Sequence, residues 1–335
     1  MRIAISTDCW FPQLNGIART LDATVRELRA MGHEVLLLTP EEFGSVPLPW
    51  YREDPIVFAW YPKLARLMRE FKPEFVHIAT QGLLGLCTRM WCWRHGMRFA
   101  TAFHTRFPEY ARIRHGIPEG VLYGYMRLFH GKRAPVLVPS KSLADELERH
   151  GFGNLRIWQR GVDADNYHPR PKTWTQYPRP IHMYVGRVAD EKNIEVFLKA
   201  TTDGTKVVVG DGPQLSMLRE RYPDAVFLGN KQGEELAQCY AEADVFVFPS
   251  LLDTFGLVVL EALASGVPVA ALPSPHLVEI FGPHEVVVFD DDLGAACRKA
   301  LTISPERCRD VALKFSWRAC TEQFLHIIEE AQKAA

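Results

Sequence analysis

Phe248-Pro-Ser-Leu-Leu-Asp-Thr-Phe-Gly-Leu-Val-Val-Leu-Glu-Ala-Leu-Ala-Ser-Gly-Val-Pro-Val-Ala-Ala271 is the stretch on which the fold turns. It reads as a strand end, a loop, a helix from Phe255 to Ala264, Gly266 as the stop, and a second strand. Strand, helix and strand in succession form the unit of a parallel sheet covered on both faces. Asp253 and Glu261 stand eight apart within it. Asp253 falls at or just before the helix start, at the carboxyl end of a strand, where α/β proteins bind ligands. The amides of Phe255, Gly256 and Leu257 then become first-turn donors suited to an anion. Glu261 is a carboxylate on an otherwise apolar second turn. Taken singly, the two acids read as an N-cap and a solvated side chain.

Outward from this block the same alternation continues in both directions. The second half carries strand-like runs at Pro180–Val185, Lys206–Val209, Ala225–Leu228, Val245–Phe248, Val267–Ala270 and Glu285–Phe289. The first half carries them at Arg2–Thr7, Glu34–Thr39, Phe75–Ile78, Arg98–Phe103 and Pro135–Val138. Helical patterns follow the runs, which predicts an α/β protein with two Rossmann-like domains facing a central cleft. A chain of 335 residues suits two cores better than one. Residues 167–180 are proline-rich with no apolar period and read as a linker. That divides the chain into 1–166, a linker at 167–180, and 181–315. A last amphipathic segment at 316–335 is placed to cross back onto the first domain.

Composition narrows the function. The chain is 47% hydrophobic and 24% charged with a net charge of −1, so it lacks the basic excess of a nucleic-acid binder. Residues 1–165 hold 22 Lys and Arg against 17 Asp and Glu, and the remainder hold 17 against 23. Residues 86–133 carry nine basic side chains and only Glu109 and Glu119 as acids. The seven cysteines contain no C-x-x-C pair, which predicts reduced thiols and no metal site. Met1 runs directly into a strand, so no signal peptide is expected. No apolar run reaches the ~18–20 residues that cross a bilayer. The expectation is a cytoplasmic protein.

Two further strand ends carry candidate ligand groups. After the first strand, Asp8-Cys-Trp-Phe-Pro-Gln-Leu-Asn-Gly16 lacks the G-x-G-x-x-G of a dinucleotide site, which argues against NAD. Gly16 still opens a helix whose free amides suit an anionic or hydroxyl-bearing ligand. In Tyr184-Val-Gly-Arg-Val-Ala-Asp-Glu-Lys-Asn193, Gly186 and Arg187 fall at a strand end and Lys192 at the next helix start. Two cations at that position can neutralise a diphosphate.

This constellation resembles the retaining glycosyltransferases of family 4, with the GT-B architecture, over nearly the whole chain. The E-x7-E block of that family corresponds to Asp253 and Glu261, followed by Ala-Ser-Gly-Val-Pro-Val. Gly186-Arg187, Glu191-Lys192, Val209-Gly-Asp-Gly-Pro213, Phe227-Leu-Gly229 and Ala243-Asp-Val-Phe-Val-Phe-Pro-Ser250 match in the family's order. His104-Thr-Arg-Phe-Pro-Glu-Tyr110 and Arg160-Gly-Val-Asp163 look most like the branch of sulfolipid synthases, diacylglycerol glycosyltransferases and mannosyltransferases. The resemblance implies a UDP- or GDP-sugar as substrate, with no metal and no further cofactor. Arg187 and Lys192 would hold the donor phosphates, and Glu261 the ribose hydroxyls. Asp253 and the amides of Phe255, Gly256 and Leu257 would hold the sugar. His104 would touch the sugar near the reacting carbon, with Gly16 on the other wall. Asp211, Gly212 and Lys231 lie in the stretches expected to flank the base.

Three departures stand out. The first acid of the pair is an aspartate, the first loop has one glycine where two are usual, and Leu272-Pro-Ser-Pro-His-Leu-Val-Glu279 replaces a Gly-Gly-x-Pro-Glu turn. A sugar-nucleotide epimerase and a non-enzymatic sugar-nucleotide sensor would share the architecture, and transfer to an acceptor separates them from the leading reading. The basic, aromatic stretch at 86–133 suits an anionic membrane surface, and the resemblance to lipid-glycosylating relatives implies a lipid acceptor such as diacylglycerol. Arg89, Trp93, Arg94, Arg98 and Arg106 are the residues expected at that surface, which makes the expected location peripheral on the inner membrane face.

Overall fold

The computed structural model describes residues 1–11, 15–48 and 51–333. Residues 12–14, in the middle of the loop before Gly16, lie outside that set. In chain order the strands are β1 (Arg2–Ser6), β2 (Glu34–Leu38), β3 (Ser45–Leu48), β4 (Tyr51–Val57), β5 (Phe75–Ile78), β6 (Phe99–Ala102), β7 (Val136–Val138) and β8 (Leu155–Ile157). They continue with β9 (Ile181–Val185), β10 (Thr205–Val209), β11 (Val226–Gly229), β12 (Val245–Phe248), β13 (Val269–Ala271) and β14 (Val287–Phe289).

Two six-stranded parallel sheets result, ordered β2-β1-β5-β6-β7-β8 and β11-β10-β9-β12-β13-β14. β3 and β4 form a separate antiparallel hairpin. Each parallel sheet grows outward from its first strand, then restarts on that strand's other side. The order therefore reverses between β1 and β5 in one sheet and between β9 and β12 in the other. A crevice opens outside the strand ends at such a reversal, and ligands bind there.

The chain divides into two compact units. The first holds residues 1–108, 117–160 and the C-terminal helix Trp317–Lys333; the second holds 109–116 and 161–316. In the first unit, Ile3 and Ile5 of β1, Phe75 of β5 and Trp158 pack with Leu21, Leu28 and Phe324 from helices. Trp158 Nε1 donates to the Cys320 carbonyl at 3.2 Å, which ties the C-terminal helix to this core. In the second unit, Met183, Val207, Phe246 and Val269 cover one face of the sheet, and Tyr184, Val208, Val247 and Ala270 the other. Apolar runs on both faces are what parallel strands under helices require.

Four expectations change. β8 and the β3–β4 hairpin were not expected. Residues 109–116 belong with the second unit, although the sequence division put them in the first domain. The segment at 167–180 is a docked strap, not a loose tether. Glu242, fully buried, accepts from Thr173 N and Oγ1, each at 2.6 Å, and from Trp174 N at 3.1 Å. Asp244 Oδ2 accepts from Ile181 N and Arg179 Nη1, each at 2.7 Å. Proline stiffens an extended backbone, so a proline-rich stretch can be pinned by two carboxylates. Finally, the helix expected from Phe255 starts at Leu257, with Gly256 before it at φ 86° and Phe255 buried in the core.

Candidate active site

At the reversal of the second sheet, the loops after β9 and β12 meet. Lys192, at the end of a short 3-10 turn (Asp190–Lys192), reaches Asp253 in the loop after β12, with Nζ 2.5 Å from Oδ1. The two side chains are 18% and 21% exposed. Burial works to raise the Asp253 carboxyl, but the Lys192 ammonium outweighs it, aided by Ser250 and His276, and holds it below the ordinary carboxylate range. Both partners are charged at neutral pH.

A second ion pair lies beside the first. Glu191, with a side chain 1% exposed, is gripped by Arg114 through Nη2 and through Nε at 3.4 Å. Arg187 Nε stands 3.8 Å from the same carboxylate. Burial would raise Glu191, and the Arg114 guanidinium overrides this, keeping it ionised. Arg114 and Tyr110 come from the Phe107–His115 helix, four residues apart and so on one face. The Tyr110 ring lies 5.8 Å from the Lys192 ammonium and 5.4 Å from the Arg114 guanidinium.

The glycines of this sheet edge are there for close approach. Gly210 at φ 141° is packed so that a Cβ would fall 1.8 Å from the Gly186 carbonyl oxygen. A Cβ on Gly212 would fall 2.3 Å from that of Val188. Val188 N donates to the Asp211 carbonyl at 2.8 Å, so the loops after β9 and β10 are zipped together. Lys231 pairs with Glu235 at 3.5 Å and borders a hollow of about 450 Å³ that Trp174, Tyr177 and Leu228 also line. Glu261 is buried on the Leu257–Ala264 helix and accepts from the Tyr240 hydroxyl at 2.8 Å. Among the described residues, no three His, Cys, Asp or Glu side chains gather as a metal-binding group.

In the first unit, His104 follows β6. Its Nδ1 lies 3.2 Å from Arg160 Nη2, and its ring packs edge-on to Trp158. Burial first, then the Arg160 guanidinium, keeps the imidazole well below its ordinary range, so it is neutral. With Arg160 donating to Nδ1, the proton sits on Nε2. Arg160 is itself buried and stacks 4.4 Å over the Trp158 ring. Gly16 opens the Gly16–Ala30 helix, where Asn15 Oδ1 accepts from Ala18 N at 2.9 Å.

Residues 14–166 match the family described as Glycosyltransferase Family 4, and residues 179–303 match Glycosyl transferases group 1. A GDP-mannose-dependent alpha-mannosyltransferase of Mycolicibacterium smegmatis is 32% identical over 90% of this chain and 84% of its own. The chain belongs to glycosyltransferase family 4. An alpha-monoglucosyldiacylglycerol synthase of Streptococcus pneumoniae is 26% identical over 91% of this chain and 79% of its own. The sucrose-phosphate synthase of Thermosynechococcus elongatus superposes with a TM-score of 0.78 over 100% of both chains, at 19% identity. This family 4 glycosyltransferase therefore has the GT-B fold, and its substrate on the donor side is a nucleotide sugar.

Sequence reasoning on the glycosyltransferase missed several residues at its strand ends. Arg114 carried no motif, and Tyr110 was only the last letter of one. His276, 1% exposed in the first turn of the Pro275–Phe281 helix, lies in the replaced turn and acts on Asp253. Asp8 sits at the reversal of the first sheet, accepting from Leu84 N and the Thr80 hydroxyl at 2.8 Å each and from Gly85 N at 3.2 Å. Burial raises its carboxyl.

The residues expected at a membrane fare unevenly. Trp93 is 81% exposed on the Leu83–Arg94 helix, in line with exposed Leu83, Leu86 and Met90, and Arg94 is exposed beside it. Phe58 and Trp60 are exposed as well, and Cys87 of that helix donates to the Ala59 carbonyl at 3.4 Å. Arg98 is otherwise engaged, donating to the Ala331 carbonyl at 3.3 Å near the end of the C-terminal helix. Arg106 is bound to Glu146 by two hydrogen bonds of 2.5 and 2.8 Å. Arg89 is half-buried. Trp91, Phe103, Tyr123 and Phe129 are core. No helix among the described residues is long and apolar enough to cross a membrane.

Proposed function

We propose that this glycosyltransferase transfers a hexose, with retention and without a metal, from a GDP- or UDP-sugar to a lipid acceptor at an anionic membrane surface. The Lys192–Asp253 pair at the β9/β12 reversal carries the reading. A nucleoside diphosphate leaving a sugar gains negative charge as the bond breaks, and fixed cations stabilise that change most when already in place. Lys192 and Arg187 supply those cations. Asp253, ionised by its neighbour, accepts hydrogen bonds from sugar hydroxyls, and Glu261 does so from the ribose. His104, neutral with its proton on Nε2, is a donor for the sugar. The base lies against Gly210–Pro213 and Gly229–Lys231. The names of the relatives favour GDP-mannose as the first donor to try and diacylglycerol as the first acceptor.

The apolar line of Leu83, Leu86, Met90 and Trp93, with Arg94 beside it, suits a bilayer interface better than water. That supports a peripheral enzyme on the inner membrane face.

The test is product analysis by mass spectrometry after incubating the full chain with GDP-mannose or UDP-glucose and vesicles containing diacylglycerol, with and without EDTA. A hexosyl lipid formed equally in EDTA is expected. A sugar nucleotide epimerised with no acceptor product would favour the epimerase. Donor binding with no reaction of any kind would favour a sensor.

A further inference from the structure

The two sheet reversals differ in what their helix starts offer a ligand. In the second unit, the Leu257–Ala264 helix begins at Gly256, with no side chain capping its first amides. In the first unit, both helices that begin at the reversal are capped from within the chain. Asn15 accepts from Ala18 N on the Gly16–Ala30 helix, and Asp8 accepts from Leu84 N and Gly85 N on the Leu83–Arg94 helix. The seat of Asp8 is built around it. A Cβ on Gly82 would fall 2.4 Å from the Asp8 carboxyl carbon, so only glycine fits before that helix. Thr80 binds Asp8 twice, accepting from its amide at 2.6 Å and donating to Oδ2 at 2.8 Å. The Tyr125 hydroxyl fixes the next residue by donating to the Gln81 carbonyl. Amides at a helix start attract an anion, and here the chain's own carboxylate is that anion. Charge separates the two reversals as well. Among the described residues, no Lys or Arg pairs with Asp8, whereas Lys192 pairs with Asp253. Burial works to raise the Asp8 carboxyl, while the amides and the Thr80 hydroxyl favour its charged form. Asp8 is part-buried, so its charge is felt in the crevice outside the strand ends.

We propose that Asp8 bars phosphate from the crevice of the first unit and so selects an uncharged, hydroxyl-bearing acceptor such as a neutral glycerolipid. The inference rests on the function proposed above, in which the diphosphate takes the second reversal and leaves the first for the other substrate. It adds the acceptor's class, which is one with no phosphate beside the attacking hydroxyl. Asp8 acts by repulsion and need not move a proton.

Competition between two lipids tests it on the full chain. Vesicles of phosphatidylcholine and phosphatidylserine carry equal amounts of diacylglycerol and of phosphatidylinositol, whose hydroxyls stand beside a phosphate. The donor is GDP-mannose or UDP-glucose, and both products are counted by mass spectrometry. The parent is expected to glycosylate diacylglycerol about tenfold faster or more, as one repelled charge would give. Asp8→Asn keeps the shape and removes the charge, and should bring the two rates to within about threefold of each other. Asp8→Ser, which can still cap the helix, should do the same. Calorimetry with GDP and UDP should match the parent in both variants, since the second unit is untouched. The inference is overturned if the parent uses the two lipids alike or prefers phosphatidylinositol. It is overturned too if either variant binds the nucleotide like the parent and keeps the parent's ratio. A product from phosphatidylinositol alone spares the lipid reading and sinks only this inference. A parent that glycosylates neither lipid overturns the lipid reading and this inference with it.

Discussion

Lys192 and Asp253, sixty-one residues apart in sequence, stand 2.5 Å apart at the reversal of the second sheet. On the proposed donor reading, an incoming diphosphate would compete with Asp253 for the lysine. The pair would then be both a binding site and an obstacle to binding.

Asp253→Asn should separate the two roles. Freed of its carboxylate partner, Lys192 should bind free GDP or UDP about tenfold more tightly, while turnover falls. Lys192→Ala should lower turnover on the order of 10²-fold. Calorimetry and steady-state rates on the same preparations check both. Equal or weaker diphosphate binding in Asp253→Asn would refute the competition.

Glu261 and Tyr240 share a buried hydrogen bond of 2.8 Å. Tyr240→Phe should cost about 1 kcal/mol of stability, visible in urea unfolding, and leave nucleotide affinity nearly intact. Glu261→Gln should weaken nucleotide binding, diphosphate and nucleoside alike, because the ribose is common to both. A Glu261→Gln enzyme that loses affinity only for the diphosphate would remove the ribose role.

Acid should unfold the first unit early. Burial lowers His77 and His130 from 6.5 to about 3, and His104 shifts in the same direction. Below 6.5 the unfolded chain takes up protons that the folded chain refuses. Stability is therefore complete above that pH and falls as pH drops, by about 1.4 kcal/mol per unit for each histidine. Among the described residues, neither His77 ring nitrogen has a hydrogen-bond partner, and the ring packs against Trp158 and Phe324. His77→Phe should fold and flatten the decline between pH 7 and 5 in urea titrations. An unchanged slope would contradict the assignment.

Vesicle binding should follow the apolar line and not every arginine. Met90→Ser with Trp93→Ser should reduce co-sedimentation with anionic vesicles and spare nucleotide binding. Arg98→Ser should instead lower the melting temperature, since Arg98 donates to the end of the C-terminal helix. Binding indifferent to Met90 and Trp93 would move the acceptor into solution.

The parallel sheets were legible because their strands are apolar on both faces, as Val245–Phe248 is. β8 was not, since Leu-Arg-Ile is too short to show a period. The hairpin was hidden by Pro47 and Pro55, which read as loop. Trp91 and Trp93 look alike in sequence, yet two residues on a helix turn through about 200°, so one is core and the other faces water. Gly186, Arg187, Lys192 and Asp253 could be placed at strand ends because motifs mark those ends. Arg114 could not, because its contact with Glu191 depends on a helix joining a unit to which its sequence neighbours do not belong.

The C-terminal helix sets an order of events during synthesis. Trp317–Lys333 completes the core of the first unit, where Phe324 meets His77 and Trp158 and where Gln323 accepts from Gln159 N at 2.8 Å. The ribosome makes that helix only after all of residues 161–316. The unit begun first is finished last, and the apolar faces of Leu21, Leu28 and Trp158 wait for Phe324 while the second unit is translated. A nascent chain stalled before Trp317 would hold a second unit able to close and a first unit open to chaperones and proteases.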